Sequence, residues 1–149
     1  MSWKQLAEGA PELAEFGAAR FASEVAYLAT TRKDSSPRVH PVTPILGDGR
    51  LFVFMEPTSP KGYDLRRDGR YAMHSLVKHA SGKGGEFLIT GTARLVEDSG
   101  RRADAVEHAP YEPAARYILF ELEVNTAFAT IYDEEGTPVR SRWQRESRS

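Results

Sequence analysis

The chain has 149 residues, enough for one domain with its own core, and its 40% hydrophobic and 28% charged residues make an ordinary globular balance. It has no cysteine, which excludes disulfides, thiol nucleophiles and thiolate metal sites. A formal net charge of −1 argues against nucleic acid as a partner, and no apolar run reaches the roughly 18 residues of a membrane span.

The first residues, Met1-Ser2-Trp3-Lys4-Gln5, run into Glu8 and Glu12 without an apolar signal core, so a cytoplasmic protein is expected. Residues 11–23 read as a helix, with Pro11 at its start, Glu12 in its first turn and Leu13 and Phe16 on one stripe. Residues 25–31 (VAYLATT) read as a strand, Asp34-Ser35-Ser36-Pro37 as a turn, and 38–46 as a second strand interrupted by Pro41 and Pro44. Gly47-Asp48-Gly49 marks a tight turn into a third strand at 51–55, so the three are expected to form a meander. Ser59 and Pro60 open a short helix that Gly69 is expected to stop in the left-handed conformation. Strands follow at 71–77 and 86–96, the latter with a bulge at Gly91, and Asp98-Ser99 caps a helix to about His108. Residues 117–124 alternate, with Ile118, Phe120, Leu122 and Val124 on one dry face, and the strand can continue to Tyr132. A turn at 133–136 leads to a last strand at 139–143, and the polar end from Arg145 to Ser149 is expected to fray.

Six or seven short strands joined by tight turns predict an antiparallel sheet that curls into a barrel, with a few short helices, as a single domain over 1–149. The segment Phe54-Met55-Glu56-Pro57-Thr58-Ser59-Pro60-Lys61 carries the most chemistry. A strand delivers hydroxyls, helix N–H groups and an ammonium to one place, which is what a phosphate needs. Arg38 would add a bidentate cation if its strand pairs with 51–55. The same residues also read as an ordinary capped helix start with a solvated lysine.

The order of these pieces resembles the pyridoxamine 5′-phosphate oxidase-like, FMN-binding split-barrel family. The carrying stretch is AYLATTRKDSSPRVHPVTPIL, then GRLFVFMEPTSPKGYDLRRDGRYAMHSL, then GEFLITGTARLVED. Its marks are Pro37-Arg38, Phe54-Met55, and Ser59, Lys61, Leu65 and Arg70 at the family's spacing. The resemblance implies a mainly β, six- to seven-stranded antiparallel split β-barrel, and a homodimer with cofactor at the subunit interface. The cofactor phosphate would meet Arg38 and Lys61, helped by Thr58 or Ser59. The ring would lie along the backbone of Arg38, Val39, His40 and Pro41 and of Val53, Phe54 and Met55. Trp143, with Arg142 or Arg145, resembles the C-terminal residues that reach the partner's cofactor. FMN is the expected cofactor, with coenzyme F420 as the alternative and haem in some relatives. The implied function is an oxidoreductase acting on a small organic substrate, and the second reading is a non-enzymatic flavin, deazaflavin or haem carrier. The oxidase proper has a longer C-terminal segment for its pyridoxal substrate, so oxidation of pyridoxamine phosphate is not expected here.

Other signals are ordinary. Gly82-Lys83-Gly84-Gly85 does not complete a P-loop, Glu134-Glu135 sits in a turn, and no GxSxG or HExxH occurs. No metal site is read. His40 shares a strand face with Arg38, and His74 reads as a core or interface residue that could donate a proton if the pocket reaches it. Arg66, Arg67 and Arg70 form a basic patch normal for a helix exit.

Overall fold

A computed structural model describes residues 2–22 and 24–146. Two helices, α1 (Ser2–Gly9) and α2 (Pro11–Phe21), precede the strands β1 (Ala26–Thr31), β2 (Pro37–Val42), β3 (Ile45–Gly47) and β4 (Arg50–Met55). Then come α3 (Pro60–Arg67), β5 (Arg70–Ser75), β6 (Glu86–Leu95), α4 (Ser99–His108), β7 (Ile118–Tyr132) and β8 (Pro138–Gln144). All strand pairs are antiparallel, in the order β2-β1-β5-β6-β7-β4-β3. The 15-residue β7 is the spine. It pairs β6 along one edge, while its other edge takes β4 at Ile118–Glu121 and β8 at Thr126–Tyr132. The molecule is a split β-barrel whose ladder does not close, and no helix among the described residues is long and apolar enough to cross a membrane.

The expected strand at 38–46 is two strands, which raises the count to eight. Pro44 has no N–H to give, and it holds Thr43 extended. The ladder with β1 therefore ends at Val42, and the chain swings across to pair β4 through Ile45–Gly47. Arg38 thus heads a strand that pairs β1 alone, not 51–55 as expected. The β3–β4 turn has Asp48 at φ 53° and Gly49 at φ 77°, the left-handed pair that matches strand twist. Gly91 does mark a bulge, since the β6–β7 register shifts between Thr90 and Gly91. Gly69 is not left-handed, and α3 ends on an extended Asp68. Glycine serves there by contact, because a Cβ would stand 2.7 Å from the Ala93 carbonyl oxygen.

The helix at α1 was not expected, and it buries Trp3 and Leu6 in the main core. The expected helix ends at Phe21, and residue 23 lies outside the described residues. Its buried stripe is Leu13, Ala14, Gly17 and Phe21. Gly17 belongs to that stripe because a Cβ there would lie 2.3 Å from the Phe87 ring. Phe87 meets Phe21 edge-on at 5.3 Å and Trp3 at 6.0 Å, the tilted geometry that aromatic quadrupoles prefer. A second core lies outside the barrel under α4, built from Ile45, Phe52, Phe54, Ala105 and Leu119. It covers the face of β7 expected to be wet. Glu121 is buried there and accepts a hydrogen bond from Arg50 Nη1 at 2.7 Å, because a carboxylate out of water needs a paired donor. At the C-terminus Arg145 N donates to the Asn125 carbonyl, and residues 147–149 lie outside the described residues.

Candidate cofactor-binding site

The site begins where β4 hands over to α3. Ser59 caps the helix by accepting from Gly62 N at 3.2 Å, with Pro60 at the first helical position. A Cβ on Gly62 would stand 2.9 Å from Ser59 Oγ and 3.3 Å from Met55 Sδ, so glycine lets the helix start close onto the strand end. As an acceptor in the cap, the Ser59 hydroxyl keeps its own proton to donate. At about 100° per residue, Lys61 projects between Asp64 and Leu65, the two buried side chains one turn later. It is half-buried beside them. Burial pushes its ammonium below the usual lysine range, and no carboxylate offsets this among the described residues.

Asp64 is 3% exposed and collects three donors. Arg38 Nε lies 2.7 Å from its Oδ2, Thr30 Oγ1 2.8 Å from the same oxygen, and Arg67 Nη2 3.2 Å from Oδ1. Burial alone would raise this carboxyl, but the hydrogen bonds from Arg38, Thr30 and Arg67 outweigh it and hold it below the usual aspartate range. Arg67 Nη2 also donates to the Thr31 carbonyl at 2.5 Å, which ties α3 to β1. Arg38 is thus already paired at Nε, while its Nη groups have no protein partner among the described residues. A cavity of about 770 Å³ opens beside this pair, lined chiefly by Arg32, Lys33, Arg38, Thr58, Tyr63 and Arg67.

The second feature is the split. β2 pairs β1 on one edge only, and Val53–Met55 pair β7 on one edge only, because the β3–β4 ladder ends at the Ile45–Phe52 pair. Two backbone edges are left without ladder partners there. Register puts Arg38, His40 and Val42 on one face of β2, opposite Thr30, Leu28 and Ala26. His40 is exposed and its Nδ1 lies 3.3 Å from the Pro41 carbonyl, while Val39, 63% exposed, and Pro41 face the other way. Phe54 and Met55 are buried, Phe54 with the Arg102 guanidinium 5.1 Å from its ring centre, so only their backbone can face a ligand.

Arg38 and Thr58 therefore share one cavity, Ser59 and Lys61 adjoin it on the same helix start, and residues 39–41 and 54–55 form the two lips of the split. Trp143 does not join them within one chain. It is half-buried against α1, where a Cβ on Gly9 would lie 2.8 Å from its Nε1, and it lines a separate cavity of about 610 Å³ with Thr126, Phe128 and Arg142. Sequence reading missed Asp64 altogether and took Arg67 for a surface charge. The available signal was a polar residue at the helix position where periodicity demands an apolar one. Arg66 is also engaged, donating to the Pro57 carbonyl at 2.5 Å and to Gly62 O at 3.1 Å.

The outer face of the sheet matters as well. Register aligns Pro41, Tyr27, His74, Leu88, Phe128 and Arg142 in one row across six strands. Tyr27 is 42% exposed, and Leu88 and Phe128 are half-buried. His74 Nδ1 donates to the Ser75 carbonyl at 2.7 Å, since a carbonyl can only accept, and Nε2 lies 3.3 Å from the Glu86 carboxylate.

Comparison with known proteins bears on this geometry. Solved structures share the fold at low sequence identity. The chain is similar to a heme binding protein from Mycobacterium smegmatis, with TM-score 0.66 and 17% identity over 87% of this chain, of which it spans only 57%. It is similar to PhzG from Burkholderia lata 383, solved in complex with tetrahydrophenazine-1-carboxylic acid, with TM-score 0.65 and 18% identity over 95% of this chain and 87% of that one. A NimC/NimA family protein from Clostridium acetobutylicum gives TM-score 0.62 and 19% identity over 95% and 94%. No curated protein matches the chain significantly. The family model described as pyridoxamine 5′-phosphate oxidase matches residues 11–139. With that match spanning most of the sequence and a split barrel beneath it, the chain belongs to the pyridoxamine 5′-phosphate oxidase-like family.

Proposed function

We propose that this protein binds a phosphate-bearing flavin, FMN, in the split between β2 and β4, and uses it to oxidise or reduce a small organic molecule. The observation that carries the reading is Lys61. An ammonium partly out of water, with no carboxylate partner among the described residues, is costly unless an anion completes it. Arg38, Thr58 and the Ser59 hydroxyl stand ready as further donors for the same phosphate. The unpartnered backbone of residues 38–41 and 53–55 suits the hydrogen-bonding edge of a flat heteroaromatic ring. When bound, the flavin supplies hydride transfer at its ring; the chain's own residues bind, orient and exclude water. Coenzyme F420 is the alternative occupant, since its phosphate and ring ask for the same groups.

The active form is a homodimer in this proposal. The row from Pro41 to Arg142 is a largely apolar sheet face without a helix over it, the kind of surface that a second copy covers. Pairing of these faces would carry Arg142 to the seam, while Trp143 lies on the opposite face of β8 against α1. A second reading, a haem or flavin carrier without turnover, draws on the heme binding protein with the same fold. The test is to purify the protein from its native host and take the absorbance and mass spectra of what it releases. A flavin or deazaflavin spectrum supports the proposal, a Soret band supports the carrier reading, and a protein that releases nothing and binds neither FMN nor coenzyme F420 overturns both.

A further inference from the structure

We propose that Asp64 is a positioning residue of the anion site, holding the Arg38 guanidinium so that its two Nη groups present a fork to the phosphate; this rests on the phosphate reading above. A carboxylate beside an anion site is at first sight misplaced, since its charge repels the ligand. The geometry gives it another task. Arginine on the edge strand β2 has a long side chain that solvent would leave disordered. The 2.7 Å bond from Nε to Asp64 Oδ2 fixes the plane of the guanidinium and leaves its end-on Nη edge without a protein partner among the described residues. That edge is the one that matches two phosphate oxygens. The carboxylate is in turn fixed from the barrel wall by Thr30 Oγ1 at 2.8 Å and from its own helix by Arg67 Nη2 at 3.2 Å. Two arginines against one carboxylate leave the cluster with a charge of +1, so the site stays cationic while Arg38 is held still.

Charge and positioning make opposite forecasts, which is what makes the idea testable. Asp64→Asn removes a negative charge, so charge alone forecasts tighter phosphate binding. Positioning forecasts weaker binding, because the amide has one acceptor oxygen for three donors and turns an NH2 toward a guanidinium. The experiment titrates wild-type, Asp64→Asn and Thr30→Val proteins with FMN and with riboflavin, which lacks the phosphate, and records the ligand-free melting temperature of each. The expected result is a loss of at least tenfold in FMN affinity for Asp64→Asn, a smaller loss for Thr30→Val, and riboflavin affinity unchanged in both. A role confined to stability would lower the melting temperature and move both ligands together or neither, and that result overturns the proposal. So does FMN binding by Asp64→Asn that equals or exceeds the wild type. If Asp64→Asn does not fold, Thr30→Val decides alone, by whether FMN affinity falls while riboflavin affinity holds. A wild-type protein that binds FMN no better than riboflavin sinks the phosphate site itself, which distinguishes the failure of that reading from the failure of this one.

Discussion

Replacing Lys61 by Met tests whether that lysine is kept for a ligand and not for the fold. Methionine preserves the unbranched length and removes the charge. In the ligand-free protein the ammonium is partly desolvated and has no carboxylate partner among the described residues, so burial pushes its pKa below the lysine value of 10.5. The unfolded chain then holds that proton more tightly than the native one. Stability should therefore rise as pH climbs from the native pKa through 10.5, and the contribution that is missing below this window is restored in Lys61→Met at all pH. Ligand-free Lys61→Met should melt no lower than wild type at pH 7, and its alkaline rise should be flatter. With FMN the sign reverses. Two unit charges about 4 Å apart attract by about 4 kcal/mol at an effective dielectric of 20. Partial exposure of the site and residual phosphate hydration reduce this to the range of a charge-assisted hydrogen bond, about 1.5–3 kcal/mol. The loss in FMN affinity should be roughly ten- to a hundredfold, with riboflavin unaffected. Fluorescence titration with both ligands, and thermal melts from pH 7 to 10.5, give both halves. A variant that loses FMN and riboflavin affinity equally, or that melts well below wild type without ligand, refutes the reasoning.

Other outcomes follow from the same contacts. Gly91→Ala would place a Cβ 1.8 Å from the Glu123 carbonyl oxygen, so it should cost about 3 kcal/mol or more and appear as a lowered urea midpoint. Asp64 has a depressed native pKa, so its contribution is present above the unfolded aspartate value near 3.8 and is lost as pH falls through the native value. Acid unfolding monitored by circular dichroism should start at lower stability but slope less below pH 4 in Asp64→Asn. Val39→Glu puts a charge on the exposed face of β2, 63% exposed in the single chain, and should shift a dimer to monomer in sedimentation velocity with little change in the monomer's fold.

Much of the scaffold was legible because local chemistry decided it. Ser59-Pro60 and Asp98 are capping residues in short sequence, Gly91 is a bulge because its strand continues on both sides, and Asp48-Gly49 can only be a tight turn. The failures share a cause, which is contact between residues far apart in sequence. The helix at Ser2–Gly9 has Trp3 and Leu6 as its large buried apolar residues, too short a stripe to register until Phe87 packs against it. Gly17 and Gly69 look like weak points in a pattern, yet each is required by a neighbour, Phe87 or Ala93, about 70 and 24 positions away. Glu121 reads as solvated until α4 covers it. At the site, Lys61 and Ser59 were found from the helix start, but the Arg38–Asp64 bond joins residues 26 positions apart and nothing local announces it. The wrong pairing for the strand of Arg38 came from treating 38–46 as one element across Pro44.

The most direct test is a crystal structure of the protein with FMN. The phosphate should lie within about 3 Å of Lys61 Nζ and of the Arg38 Nη groups, with the ring between the backbones of residues 38–41 and 53–55 and a partner chain against the β1–β2 face. A phosphate seated elsewhere, or a split left filled by the protein's own side chains, would contradict the account.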